Sequence, residues 1–355
     1  MRVDAGSQIG GGHLMRCLAL AEALRRHAVE TRFISREMPV SFRTLLQQQK
    51  HELALLEPDP RAAGYGDLPH SHWLRTSQSY DATQVQEVLS ERPTDWLLVD
   101  HYALDARWES SLRGKVDGIF VIDDIANRQH DCDILLDQNL HDAMDTRYVG
   151  LVPAGCRLLL GPHYALLREE FSQLHSSARV RQGPVRSILI LMGGMDASDQ
   201  TAKAIRALCA VHGHSFEVNV VVGAEHPALA DIQDRCNAFG FHCHVQTDDV
   251  ALLMAQADLA LGACGSTSWE RCCLGLPAIC VTVASNQATI ANALAAKGAI
   301  VALGDADNVT EGDFAEAIQR LLDQSNELTA LSAASLALVD GMGTQRVCQA
   351  LVDAS

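Results

Sequence analysis

Asp4-Ala5-Gly6-Ser7-Gln8-Ile9-Gly10-Gly11-Gly12-His13-Leu14-Met15-Arg16-Cys17-Leu18 runs a glycine-dense loop straight into a helix, with a histidine at the junction. Apolar residues recur at Leu14, Cys17/Leu18, Ala21 and Leu24, the spacing of a helical stripe that faces a core. Gly10, Gly11 and Gly12 permit a tight turn and a close approach of backbone to a ligand. The unpaired N–H groups of the helix's first turn, at the positive end of its dipole, suit an anion such as a phosphate. His13 projects into the same space.

Beyond this loop the chain alternates. Residues 31–35 read as a buried strand, 40–49 as a helix and 53–56 as a strand. Residues 57–80, with Pro58, Pro60, Gly64, Gly66 and Pro69, read as a loop or insertion. A helix over 82–90 leads to the apolar strand Trp96-Leu97-Leu98-Val99-Asp100. A helix at 106–112 then precedes Ile119-Phe120-Val121-Ile122 and its acidic end Asp123-Asp124. Residues 133–136 read as the last strand of this half. Apolar strands alternating with helices, and polar residues at the strands' carboxyl ends, predict a parallel sheet covered on both faces. From Leu140 to Pro184 the pattern loosens, then the alternation restarts with strands at 187–192, 218–222, 241–245, 259–261, 278–283 and 299–303. The expected fold is α/β, with Rossmann-like parallel-sheet domains at 1–160 and 185–355, a linker at 161–184, and a cleft between them.

With 355 residues the chain accommodates two domains with full cores, and 48% apolar against 20% charged residues is a globular profile. A formal charge of −16 argues against a nucleic-acid partner, since a phosphate backbone needs clustered Lys and Arg. No apolar run approaches the ~20 residues of a membrane span, and no signal peptide opens the chain, so no membrane partner and a cytoplasmic location are expected. The 11 cysteines sit at apolar positions or as the pair Cys272-Cys273, unlike a disulfide framework. No zinc spacing occurs; His242-Cys243-His244 alternates as a strand does, and no metal or other cofactor is expected.

Four turns carry candidate chemistry: Gly10-Gly11-Gly12-His13, Met192-Gly193-Gly194-Met195-Asp196, Gly262-Ala263-Cys264-Gly265-Ser266-Thr267 and Ala284-Ser285-Asn286-Gln287. Glycine is also the ordinary way to leave a strand, so any one of them is compatible with structure alone. Together, at strand ends in both halves, they point to a phosphate or nucleotide site. None matches the P-loop or the dinucleotide fingerprint. At a helix N-terminus a histidine is held neutral and can serve as a base, whereas an exposed or capping role is the bland alternative. Asp4, Asp100 and Asp124 are equally eligible to orient its ring. Thr267-Ser268-Trp269-Glu270 fits a capping box, and equally a carboxylate offered to the hydroxyls of a ribose. Tyr102 and Asn286 follow strands and fall where a cleft would be.

The segment Arg2–Leu18 resembles the opening motif of the PseG family, UDP-sugar hydrolases of pseudaminic acid biosynthesis. The resemblance continues through Val99-Asp100-His101-Tyr102, Cys132-Asp133-Ile134-Leu135-Leu136 and Gly161-Pro162-His163-Tyr164-Ala165-Leu166-Leu167-Arg168-Glu169-Glu170-Phe171. It extends to Met192–Asp196, Gly265–Glu270 and Asn286-Gln287, and so spans nearly the whole chain. It implies a GT-B-type fold with UDP held by the second domain. Water would cleave UDP-2,4-diacetamido-2,4,6-trideoxy-β-L-altropyranose to UDP and free sugar with inversion, without a metal. His13 would be the general base. Gly11, Gly12, Tyr102, Gly194, Ser266, Thr267, Glu270, Asn286 and Gln287 would contact the substrate. Family members usually carry several more residues before Arg2, forming the first strand; here the start is trimmed or that strand is short. The rival readings are a GT-B glycosyltransferase, a hydrolase of another UDP-sugar, and a non-catalytic nucleotide-sugar sensor.

Overall fold

A computed structural model describes residues 1–355 except Ser7, 60–65, Met195, Ala197, His212, Ser285 and Ser355. Parts of two of the four turns named above, of the opening loop and of the 57–80 segment therefore lie outside the described residues. The chain forms two compact units. The first comprises Met1–Asn139, Ala143–Leu166 and Gly343–Ser355; the second comprises Leu140–Asp142 and Leu167–Met342.

The first unit contains β1 (Arg2–Val3), α1 (Gly12–Arg25), β2 (Arg32–Ser35), α2 (Val40–Gln48), β3 (Glu52–Leu55), α3 (Gln78–Leu89), β4 (Trp96–Asp100), α4 (Ala106–Leu112), β5 (Gly118–Ile122), β6 (Ile134–Asp137) and β7 (Arg157–Leu160). The strands form one parallel sheet in the order β3-β2-β1-β4-β5-β6-β7. Alternate side chains of each strand enter opposite layers. Leu98, Phe120, Ile122 and Leu136 pack with Leu14, Cys17 and Leu18 of α1, whereas Leu97, Val99, Ile119 and Leu135 pack with Val85 of α3 and Trp108 of α4. Burial on both faces explains why these strands read as continuous apolar runs.

The second unit contains α5 (Glu169–His175), β8 (Ser187–Leu191), α6 (Gln200–Ala210), β9 (Glu217–Val222), α7 (Leu229–Phe239), β10 (His242–Val245), α8 (Val250–Gln256), β11 (Leu259–Ala263), α9 (Thr267–Cys273), β12 (Ala278–Thr282), α10 (Gln287–Ala296), β13 (Ile300–Asp305), α11 (Glu311–Asp323) and α12 (Ser325–Leu338). Its parallel sheet runs β10-β9-β8-β11-β12-β13. The last helix, α13 (Gly343–Val352), belongs to the first unit.

Three expectations need correction. Residues 133–136 do not close the first sheet, because Arg157-Leu158-Leu159-Leu160 adds β7 in parallel register with β6. The 57–80 segment is not all loop: a single 3₁₀ turn spans Ser71–Leu74, and α3 starts at Gln78 with the Ser77 hydroxyl accepting the Tyr80 N–H at 3.2 Å. The division at 185–355 also fails, because Val347, Cys348 and Leu351 on α13 bury themselves in the α1 layer of the first unit. The stretch 161–184 is no separate linker; it is shared between the units on either side of Leu166.

Candidate active site

Each sheet reverses its winding once: β1 lies between β2 and β4, and β8 lies between β9 and β11. At such a point successive connections leave in opposite directions, opening a crevice at the strands' carboxyl ends. In the first unit, β1 delivers Asp4 and the glycine loop there, and β4 delivers Asp100.

Asp4 is committed to holding the loop. Its carboxylate receives both terminal guanidinium nitrogens of Arg2 (2.6 and 3.0 Å), the Ser35 hydroxyl (2.9 Å) and the Arg36 N–H (2.7 Å). Burial alone would raise its pKa, but Arg2, with help from His101, holds it well below the usual carboxylate range. The loop closes on itself through Gly10 N–H to Gly6 O at 2.7 Å, with Gly10 at φ +76°. Gly11 caps α1, and Met15 N–H returns to its carbonyl at 3.0 Å. This places His13 in the first turn of the helix, 8% exposed.

Asp100 orients the ring, resolving the choice among three carboxylates. His13 Nδ1 lies 2.5 Å from Asp100 Oδ1. Arg16, one helical turn on, donates to both Asp100 oxygens (2.7 and 2.6 Å) and to Asp124 Oδ2 (2.8 Å). Burial pushes the Asp100 pKa up, but Arg16 and then His13 outweigh it and keep the group ionised. An ionised carboxylate only accepts, so in the neutral ring the hydrogen-bond network puts the proton on Nδ1 and the lone pair on Nε2. Asp124 also accepts the Tyr102 hydroxyl. Tyr102 is 3% exposed, its ring set edge-on to His13 (centroids 4.7 Å, 79°). Gly11, Gly12, His13 and Tyr102 are thus brought together.

In the second unit β8, β11 and β12 are neighbours, so the other three turns emerge side by side. Gly193 takes φ +108°, and the Gly194 carbonyl accepts the Gly223 N–H at 3.2 Å. A Cβ at Gly265 would lie 3.6 Å from Gln287 Nε2, so the β11 and β12 turns touch. The Thr267-to-Glu270 capping box does not form. Ser266 occupies the cap with helical dihedrals and no side-chain cap bond, and Thr267 Oγ1 instead accepts from Arg271 at 3.2 Å. Burial raises the Glu270 pKa, opposed by Arg168 and Arg271. Asn286 caps α10 without a side-chain bond, whereas Gln287 closes its own turn by accepting the Val283 N–H at 3.0 Å. Gly194, Ser266, Thr267, Glu270, Asn286 and Gln287 therefore share one edge of this sheet.

Among the described residues, Asp196, Asp199 and His226 place potential metal ligands within 4.8 Å of one another. Local bonding accounts for Asp196, whereas Asp199 Oδ1 and His226 Nε2 are buried with no hydrogen-bond partner among the described residues. Asp196 accepts the N–H groups of Gln200 (3.0 Å) and Thr201 (2.7 Å) at the start of α6. His226 Nδ1 accepts the Ala228 N–H at 3.1 Å, so the neutral ring carries its proton on Nε2, the nitrogen facing Asp196. His242-Cys243-His244 is strand β10, with His244 Nε2 2.8 Å from Asn219 Oδ1.

Several site residues were not singled out from the sequence. Arg16 falls on the same helical face as His13 at i+3, a charge among buried apolar positions, and that is a readable signal. His70 and Trp73, from the segment read as an insertion, gave none. Trp73 stacks on Tyr102 (5.4 Å, 26°) and meets His13 edge-on (6.2 Å, 82°), and His70 abuts Trp73 (4.7 Å) and Tyr102 (5.3 Å).

No family model matches the chain. It is 23% identical over 354 residues to the spore coat polysaccharide biosynthesis protein SpsG of Bacillus subtilis, covering 99% of this chain and 96% of that one. It is 25% identical over 298 residues to the UDP-2,4-diacetamido-2,4,6-trideoxy-beta-L-altropyranose hydrolase of Campylobacter jejuni, covering 84% of this chain and 96% of that one. The crystal structure of Acinetobacter baumannii MurG superposes with a TM-score of 0.65 at 15% identity, covering 99% of both chains. The fold is a GT-B-type pair of parallel-sheet α/β domains. The resemblance to the PseG hydrolase is carried by most of the chain and not by isolated motifs.

Proposed function

We propose that this protein hydrolyses a UDP-linked diacetamido-trideoxy sugar, with His13 as the base that activates water. The observation that carries the reading is the 2.5 Å contact from Asp100 to His13 Nδ1, which leaves Nε2 as the acceptor. His13 Nε2 takes a proton from water as the oxygen attacks the anomeric carbon. The bond from that carbon to the diphosphate oxygen breaks, its electron pair leaves with UDP, and attack from the opposite face inverts the centre. The imidazolium formed is stabilised by Asp100, whose carboxylate Arg16 holds in place. Gly11 and Gly12 bring backbone close to the substrate. In the second unit Gly194, Ser266, Thr267, Asn286 and Gln287 would bind the diphosphate and uracil. Glu270 would accept the ribose hydroxyls. The activity for which the C. jejuni relative is named supports the substrate class.

A second reading has support of its own. A relative matched over 99% of the chain is a polysaccharide biosynthesis protein, and the same dyad would deprotonate an acceptor hydroxyl as well as water. Incubating the purified chain with the UDP-sugar and no acceptor separates the two. UDP and the inverted free sugar are expected, with His13→Ala slowing release on the order of 10²- to 10⁴-fold. Release only when a sugar acceptor is added would select transfer, and full release by His13→Ala would discard the base.

A further inference from the structure

The turn at residues 66–77 is anchored at several points, yet it leaves its largest side chain outside the core. Leu74 is 1% exposed and packs in the layer that holds Val85, Leu104 and Trp108. The Thr76 hydroxyl donates to Asp59 at 2.5 Å, Arg75 pairs with Glu37 at 2.7 Å and Asp67 with Arg107 at 2.7 Å. Trp73, by contrast, is half-buried and belongs to neither hydrophobic cluster of its unit. Its ring neighbours are His13, His70, His72 and Tyr102, all polar-edged rings. An indole held against a catalytic imidazole, with no core to fill, is an apolar wall beside the reacting atoms. Next to it, His70 Nδ1 is buried with no hydrogen-bond partner among the described residues.

We propose that Trp73 and His70 are the specificity-determining wall for the sugar. The indole covers the apolar groups of a deoxygenated, N-acetylated hexose, and His70 Nδ1 hydrogen-bonds one acetamido group. The inference rests on the UDP-sugar reading and deepens it. A sugar with a methyl in place of a hydroxymethyl, and two acetyl methyls, offers an aromatic face what a fully hydroxylated sugar does not. Methyl-sized contacts of this kind discriminate by roughly 10- to 200-fold. His70 is suited to a neutral acetamide, because burial, with Arg128 next, lowers its pKa and disfavours the imidazolium.

The test measures binding in a His13→Ala background, where consumption of substrate is slowed. Titration calorimetry would compare UDP with UDP-2,4-diacetamido-2,4,6-trideoxyhexose, with and without Trp73→Ala. Adding Trp73→Ala is expected to weaken the nucleotide sugar about tenfold or more and leave UDP unchanged, with Trp73→Phe retaining most of the affinity. His70→Phe, which keeps the ring and loses the nitrogens, should weaken only the acetamido sugar. Equal weakening of UDP and the nucleotide sugar would mean that Trp73 merely supports the fold and would overturn the proposal, as would no weakening of either. Turnover by the otherwise unaltered chain is scored separately. A chain that binds the sugar through Trp73 but never releases UDP would leave the wall standing and refute the hydrolase. Absence of nucleotide-sugar binding would refute both.

Discussion

His130 lies between two carboxylates in the interior of the first unit. Its Nδ1 is 2.8 Å from Glu109 and its Nε2 3.8 Å from Asp123, with both carboxylates fully buried. Burial lowers its pKa, but the nearby Asp123 carboxylate and the hydrogen bond and charge of Glu109 outweigh that and raise it to about 9 from an ordinary 6.5. A group whose pKa is raised by folding contributes its full stabilisation below the unfolded pKa and loses it as pH climbs through the folded one. Relative to His130→Gln, the protein should therefore lose roughly 3 kcal/mol between pH 6.5 and 9. Urea unfolding across that window checks it, and parallel curves for the two proteins would refute it. At this scale the sequence exposed His13, which stands alone at the end of a glycine run. It could not choose Asp100 over Asp4 or Asp124, because all three end strands or follow them, and only the sheet order decides which carboxylate reaches the ring. Trp73 was hidden for a related reason: an irregular segment has no period from which to read the direction of a side chain.

The elements themselves were legible wherever burial was two-sided or amphipathic. Trp96–Asp100 and Ile119–Ile122 are apolar runs because both faces of β4 and β5 are covered, and the α1 stripe at Leu14, Cys17, Ala21 and Leu24 is wholly buried. The four-residue β7 does not stand out because it lies in a stretch broken by Gly150, Pro153, Gly155, Gly161 and Pro162. Of the two readings of Thr267–Glu270, the capping box fails because the backbone of Ser266 is already helical, leaving no cap geometry for a side chain to complete. The entry to α1 invites a sharper test. A Cβ on Gly11 would sit 2.6 Å from the Phe42 Cζ of α2, so the glycine is needed for helix packing as well as for the loop. Gly11→Ala is expected to cost about 1–3 kcal/mol and to lower kcat by displacing His13 from Asp100. Phe42→Leu in the same chain removes the clashing carbon and should restore most of both. Full activity in Gly11→Ala alone would show that Phe42 turns away freely and that the loop tolerates a side chain.

At the scale of the whole molecule, the two α/β halves followed from alternation, but the path of the chain between them did not. Hydrophobic periodicity reports that 345–352 is an amphipathic helix, and it cannot say which sheet the apolar stripe meets. The structure answers that α13 leaves the second half and joins the first, where Val347, Cys348, Ala350 and Leu351 are at most 5% exposed in the layer of Leu14, Leu18 and Leu24. Gly343 sits so close to the Ala165 backbone that no side chain fits there, which fixes the helix start in that unit. The first unit is therefore discontinuous in sequence, completed only by its last residues. Truncation after Met342 would strip these contacts, each buried aliphatic chain being worth about 1.5–3 kcal/mol, and so removes several kcal/mol from a margin of about 5–15. Because the contacts belong to one unit, the loss is local. Amide hydrogen exchange of the truncated chain should show α1 losing protection, and with it the setting of His13, while β8, β11 and β12 exchange at their original rates. Equal loss in both units would mean that they unfold as one cooperative body. Unchanged exchange of α1 would mean that the helix carries none of the stability its burial predicts.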